Sequence, residues 1–540
     1  MSTAYPTNIL FQILINSTWL DISSDVVGEQ SCVYGIQGSG PTDRVASTGT
    51  FKFRLRNDKG CLGGVAGYYS PGHAKQLAGW STGLPFRVLI AYDGEIFCKF
   101  RGKVASILPQ SGLSPQQVEV SAVDWFDLAN KYPVAVAVGY DQRIDQAAAT
   151  LVTLMPSAPQ HQMYGTGADT FTTVFDDVKS TTRIATEFGK LALSELGYIY
   201  LRRDKADGET LVVEGRHRRN ADGELTPIPQ SAALSGRLLA EDGGYLLLED
   251  GGRIVLNEAT TVNFDNRAMD MDVVHGALLA NAVKIKSYPR RMDTATAVLY
   301  SISEPISLAS GETKTFRAAY RDPNGLAKSV NGRSMIAPAA TTDYLLNTAK
   351  NGSGTNVTAS LTVNAVYDSS GIDYSLSNGS AATGYVTHLQ ARGLGIYIYE
   401  PVEIVTQDSA SILAYEYSEL TIDQKYQNDV YASASVGQVM LEQYKMPRSQ
   451  ARTVSFQANA ADDLMQAFLY HDIGDLIHLA ESQSGIDAYY YIQAVEYQLK
   501  AAGIITYTWT LAEALSLREV YWELGTAGRG ELDSTTILGY

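Results

Sequence analysis

Cysteine is scarce in this chain of 540 residues: Cys32, Cys61 and Cys98 are all it has. An odd number without CxxC spacing indicates neither a disulfide framework nor a zinc site, and the three are read as buried thiols made in a reducing cytosol. Charge is sparse as well, at 19% of residues, and skewed, with 58 Asp plus Glu against 42 Lys plus Arg for a net charge of −16. That excess opposes attachment to a phosphate backbone and argues against a broad nucleic-acid-binding surface. No run of 18 apolar residues occurs; the longest candidates, Pro133 to Gly139 and Ala277 to Ile285, are too short to cross a bilayer. The opening Met1-Ser2-Thr3-Ala4-Tyr5-Pro6-Thr7 has no cationic n-region or cleavage site, so no secretory signal is expected. Missing too are GxSxG, GxxxxGK[ST] and HExxH. No catalytic residue, cofactor site, metal ligand or cofactor is therefore expected, and the chain is not read as an enzyme.

What remains is abundant in Tyr (33) and Gly (47), poor in Pro (17) and 45% apolar, the composition of a folded chain rich in sheet and turns. The fold class expected is mainly β with an α+β accessory domain. Between Ile9 and Lys131 short strands dominate: Phe51-Lys52-Phe53-Arg54-Leu55 has period two, and Asp93-Gly94 between two apolar runs is a strong hairpin signal. Val118 to Val123 adds a strand, and a small antiparallel barrel or sandwich is expected here. From about 140 to 235 the period changes, because Ile184, Phe188, Leu191 and Leu196 fall at helical spacing. Thr181 or Thr182 is the expected cap, and Gly197 the left-handed terminator. Strands are expected at Tyr198 to Arg202 and Thr210 to Arg216, around a turn at Asp204 to Gly208.

Glu241-Asp242-Gly243-Gly244 returns as Glu249-Asp250-Gly251-Gly252, which reads as a β-ribbon with Asp-Gly turns rather than a calcium roll. Residues 295–405, with Thr315 to Tyr320 and Val357 to Val366, read as a β-sandwich. Near the end, Ala460 to His471 reads as a helix, and Tyr489 to Leu499 pairs through Lys500 to Gly503 with Ile504 to Leu511. Tyr491, Val495, Tyr497 and Leu499 are expected on one face of that hairpin, opposite Tyr507, Trp509 and Leu511.

Three polar groupings merit weighing. His471, Asp472, Asp475 and His478 form the densest His/acid cluster, but their spacing suits a surface turn better than a metal. Asp265, Asp270 and Asp272 include an alternation, Met269-Asp270-Met271-Asp272, that places acids on a wet strand face. Arg216, His217, Arg218 and Arg219 suit a solvated strand end, or else an acidic partner surface.

The order of elements carries a resemblance. Trp19 to Val26, Leu55-Arg56-Asn57, Tyr69-Ser70-Pro71-Gly72-His73, Leu84 to Val88 and Phe100-Arg101-Gly102-Lys103-Val104 resemble the N-terminal domain of tail-hub proteins of long-tailed bacteriophages. The helix Phe188 to Gly197 with Tyr200 and Glu214-Gly215-Arg216 is similar to their second domain. Thr342-Asp343-Tyr344, Gly352-Ser353-Gly354-Thr355 and Leu389 to Gly393 look like a minor tail protein's sandwich, and Ile473 to Ile477 with the Tyr491 to Leu511 hairpin like the closing hub barrel. The resemblance implies two tube-protein-like β-barrels plus an inserted β-sandwich: an N-terminal hub barrel at 1–131, an α+β hub domain at 132–260 carrying the Gly-rich ribbon 238–256, a second barrel from 261–294 and 406–520, the sandwich at 295–405 and a flexible tail at 521–540. No self-similarity links 1–131 with 406–520, so the duplication rests on the resemblance.

It further implies a homotrimeric structural virion protein at the distal end of a phage tail, assembled in the host cytoplasm. Such a hub joins a hexameric tail tube or distal tail ring to a trimeric tip or central fibre and gates the DNA channel during host attachment and genome ejection. Its partners would be the distal tail protein or tail-tube ring, the tape measure protein and tail fibre or tip proteins, with DNA in transient passage and no specific binding. The long, often peptidase-bearing C-terminal extension of some relatives is missing, so wall degradation is not expected. The competing reading is a carbohydrate-binding or polysaccharide-degrading tailspike-like protein that stacks sugars on Tyr and Trp, although no β-helix repeat supports it.

Overall fold

The computed structural model describes residues 4–110, 116–134, 136–176, 178, 181–203, 208–216, 219, 264, 266–368, 370–500 and 503–514. The ribbon at 238–256, the tail at 521–540, Asp265, His217, Arg218 and most of the turn at 204–208 lie outside the described residues.

Strands dominate, in several sheets. The largest has twelve strands and combines the first 123 residues with the segments Asp270–His275, Ser449–Gln457, Leu476–Glu481, Ile486–Leu499 and Ile505–Glu513. Alternation decides which face each residue takes: in Ser47–Arg56, Phe51, Phe53 and Leu55 are buried while Lys52, Arg54 and Arg56 are exposed. Asp93 (φ 46°) and Gly94 (φ 76°) make the expected turn between Pro85–Tyr92 and Glu95–Pro109.

Two closed barrels were expected, and here the structure differs: no sheet closes on itself among the described residues. The N-terminal and C-terminal strands instead share one sheet, joined where Val26–Gly35 pairs antiparallel with Ile486–Leu499 and Cys32 stands opposite Tyr497. Each of these strands would otherwise present an unpaired edge, and the pairing satisfies both. The N-terminal strands curl around Phe11, Phe51, Phe53, Phe86 and Phe100; Phe53 and Phe86 stack with ring centroids 4.8 Å apart. The helix Asp462–Tyr470, somewhat shorter than expected, puts Phe468 against Tyr497 and Tyr507 at 5.3 and 5.4 Å. One continuous core results.

The C-terminal hairpin forms as expected, with Val495 opposite Trp509 and Tyr497 opposite Tyr507. Tyr491, however, does not share their face. A register shift between Ile492 and Ala494 reverses the alternation, so that Tyr490 and Ile492 enter the core instead.

The helix Ile184–Glu195 starts after Arg183 without the expected Thr cap and ends with Leu196, not Gly197, in the left-handed conformation (φ 58°). Gly197 is needed for another reason: a Cβ there would lie 2.1 Å from the Glu214 carbonyl oxygen. Beyond it, Tyr198–Arg202 pairs with Thr210–Glu214, which runs parallel to His161–Tyr164.

Between 290 and 398, two sheets share a separate core that includes Leu346, Ile372, Tyr374, Val386 and Leu389. The long strand Gly384–Ile398 is the spine of one, pairing with five shorter strands; Thr313–Ala319, Gly371–Asn378 and Leu361–Tyr367 form the other. A third core lies where Ala282–Ser287, flanked by Val402–Gln407 and Glu419–Gln424, packs Val283 and Ile285 against Val436 and Met440 of the helix Val430–Tyr444.

Candidate functional site

Two features stand out: a buried charge junction and a long polar sheet face. The junction begins at the end of the strand Tyr198–Arg202, which drives Arg202 and Arg203 into the core between the N-terminal strands and the turn after the helix Asp462–Tyr470. Arg202 Nη1 donates to Asp475 Oδ1 at 2.7 Å and to the Ile473 carbonyl at 2.9 Å. The Arg203 guanidinium lies 3.5 Å from the centre of the Tyr34 ring and 3.3 Å from Asp124 Oδ2, while its backbone N–H donates to Asp472 Oδ2. Tyr34 donates its hydroxyl to Asp472 Oδ1 at 3.0 Å. Asp124 also caps the helix Trp125–Lys131 through the Phe126 N–H. Lys99 completes the group, donating from Nζ to the carbonyls of Phe468 (2.8 Å) and Leu469 (3.3 Å), at the end of a helix where a cation is favoured.

Burial and charge set the ionisation here. Burial alone would raise the Asp475 carboxyl, but the charge of Arg202, with His471 close by, outweighs it and holds Asp475 well below the usual carboxylate range. Burial pushes the Lys99 ammonium down to about 8, against the pull of Asp472. Burial raises Asp124, opposed by Arg203. Every carboxylate in the junction is thus held by a cation or by hydrogen bonds, which suits a fastening between three stretches of chain rather than acid–base chemistry.

Asp472 and Asp475 were expected at a surface turn and are instead 2% and 6% exposed. The turn is local, but Arg202 and Arg203, some 270 residues earlier, make its burial affordable, and nothing in the local spacing announces them. His471 lies 3.6 Å from Asp475, at the edge of the junction. His478 does sit on the surface, 2.9 Å from Asp487. Arg216 and Arg219 also depart from the solvated reading: Arg216 pairs with Asp169 at 2.7 Å and Arg219 with Glu214 at 2.9 Å, both side chains largely buried. Asp270 and Asp272 lie on the wet face of the strand Asp270–His275, as the alternation predicted. All three cysteines are buried and free, and burial pushes the Cys32 and Cys98 thiols up to about 12 and 11. Among the described residues no group of His, Cys, Asp and Glu is arranged to hold a metal, and no helix is long and apolar enough to cross a membrane.

The second feature is the outer face of the twelve-stranded sheet. Across the seam, Gln457, Thr506, Gln498, Ser31, Lys52, Ser121 and Ser106 stand side by side in register. One residue along, the opposite face carries Phe456, Tyr507, Tyr497, Cys32, Phe51, Ala122 and Val104. Apolar inside and polar outside, hydroxyls and amides with Lys52 among them, therefore persist from one end of the chain to the other without a slip at the seam. Hydroxyls on this face bond across strands, Ser455 to Thr508 at 2.8 Å and Ser106 to Ser121 at 2.6 Å. A shallow groove of about 260 Å³ on it is lined by Met269, Asp270, Ser455, Glu496, Lys500 and Thr508, among others.

No family model matches the chain, and no curated protein does. Among solved structures it is similar to the tail protein from Neisseria meningitidis MC58 (10% identity over 93% of this chain and 96% of that one, TM-score 0.44). It is also similar to the 43 kDa tail protein of prophage MuSo2 from Shewanella oneidensis (10% identity, 94% and 99% covered, TM-score 0.46). A third is the prophage tail protein gp18 from Listeria monocytogenes EGD-e (8% identity, 93% and 94% covered, TM-score 0.39).

Proposed function

We propose that this chain is a structural component of a phage tail, the trimeric hub at its distal end. In that role it joins the hexameric tube to a trimeric tip and lets DNA pass after host contact. The observation that carries the reading is the long sheet with one apolar and one polar face, built from both ends of the chain. Two strand sets side by side in each subunit, repeated three times, would set six units against a six-fold tube. Turned to a channel, this face sets hydroxyls, amides, Glu119 and Glu496 among Lys52 and Arg54, so duplex DNA, which carries one charge per roughly 1.7 Å, meets no purely cationic array. The buried junction fastens the two strand sets and the segment between them into one body, as a load-bearing ring requires.

The test is the native mass of the purified chain by light scattering after size exclusion, over a range of concentrations, alone and with the tube-end protein. A species near three times 58.5 kDa is expected in at least one condition, as closed cyclic symmetry demands. A monomer throughout, with and without that partner, overturns the hub.

A further inference from the structure

The short helix Ser409–Tyr415 is turned the wrong way for a surface helix. Ala410, Leu413 and Ala414, at the i, i+3 and i+4 positions of one face, point to solvent, and Leu413 is 90% exposed. The residue it buries is Ser411, whose hydroxyl donates to the Lys445 carbonyl. Tyr417, 56% exposed, follows in the next turn of chain.

This presentation is held in place. Asn281, fully buried, grips the segment on both sides, donating from Nδ2 to the Glu416 carbonyl at 2.6 Å and accepting from the Ser418 N–H at 2.8 Å. The Ser418 hydroxyl adds a bond to the Leu279 carbonyl at 2.7 Å. Between these anchors Glu416 is forced to φ 65°, ψ 167°, a conformation costly for any residue but glycine. Several partly buried hydrogen bonds thus fix a strained backbone whose visible result is an apolar knob in water.

The charge around the knob selects its partner. Asp408, Glu416, Glu419 and Glu442 surround it; Lys445 answers Asp408 and Glu442, and Lys284 answers Glu419, leaving an acidic excess. A two-fold contact with a second copy would set Glu416 and its neighbours against themselves, and an anionic lipid surface would be repelled likewise, whereas a head-to-tail contact with a second copy is the alternative that the crosslink separates. We propose that this knob is a docking site for a different protein, one with an apolar pocket that receives Leu413 and Tyr417 and is edged by Lys or Arg. The inference goes beyond the hub reading and does not depend on it.

The test replaces Leu413 with the photo-crosslinker p-benzoylphenylalanine in the full chain, irradiates the cells that produce it, and maps the adduct by mass spectrometry. An unchanged melting temperature of the purified variant establishes that the fold is intact. One heterologous chain is expected, attached at an apolar site with Lys or Arg beside it, and Glu416→Lys in the same background should cut the adduct at least several-fold. No adduct, an adduct to a second copy or to lipid, or one indifferent to Glu416→Lys overturns the proposal. Whether the chain is found in tails at all is read separately from purified particles, so the hub reading can fail without this one.

Discussion

At the residue scale the junction shows how buried charge is made tolerable, and its two titrating members predict opposite ends of the pH scale. Asp475 titrates below its ordinary value of 3.8, so its contribution is present above that pH and is lost as the pH falls through its folded-state value. Asp475→Asn removes the carboxylate paired with buried Arg202 and is expected to cost about 3–5 kcal/mol in urea unfolding at pH 7. Asp487→Asn, which removes only the exposed partner of His478, is expected to cost about 0–1 kcal/mol. Lys99 runs the other way. Its folded-state value of about 8 lies below the ordinary 10.5, so between those pH values the unfolded chain binds more protons and this group makes stability rise with pH. Relative to Lys99→Met, the wild type is expected to gain on the order of 3 kcal/mol across that window, measured by denaturant unfolding at matched pH. A stability difference between the two proteins that is flat with pH would remove Lys99 from this account.

At the scale of elements, the end of the helix Ile184–Glu195 sets conformational preference against packing. Leu196 sits in a region that costs a non-glycine residue about 1–2 kcal/mol, yet its side chain is 6% exposed and belongs to the core of Val283, Ile285, Ile422 and Val436. Burying a leucine is worth about 1.5–3 kcal/mol before any cavity cost is counted. Leu196→Gly is therefore expected to destabilise by about 1–2 kcal/mol although glycine prefers the geometry, and Gly197→Ala to cost more, since its Cβ meets rigid backbone; thermal melts of both variants check the order. The same competition explains what the sequence made legible. Helical and strand periods placed this helix, the Asp93-Gly94 hairpin and the strands at 51–55, 118–123 and 198–202, because in each the local pattern agrees with the burial around it. The terminator was misplaced by one residue because a distant core claimed Leu196, and Tyr491 was given the wrong face because the register shift at Gln493 leaves no trace in composition. The helix Val430–Tyr444 went unnoticed because its Ser, Ala and Gly residues blur the apolar stripe.

At the scale of the whole molecule, the seam between Val26–Gly35 and Ile486–Leu499 and the burial of Asp472 and Asp475 were both illegible in the sequence for one reason: their partners lie hundreds of residues away. Period-two alternation gives each strand two faces but not its neighbour. The seam is also where the proposed function is most exposed to test, because the row Gln498, Thr506 and Ser31 crosses it on the polar face. If that face lines the channel, Gln498→Lys with Thr506→Lys adds cations where DNA passes while leaving the aromatic face untouched. Both positions are partly exposed, so little stability is at stake. Each phosphate neutralised steepens the salt dependence of binding by about 0.9 in log–log slope for duplex DNA. The double variant is therefore expected to be retained on a duplex-DNA column at low salt, to elute as salt rises, and to slow DNA release from particles that carry it. The wild type is expected to pass the column unretained. Normal release by particles carrying the substituted chain would mean that the polar face looks outward, and the ring would then have to be built with a different surface toward the DNA.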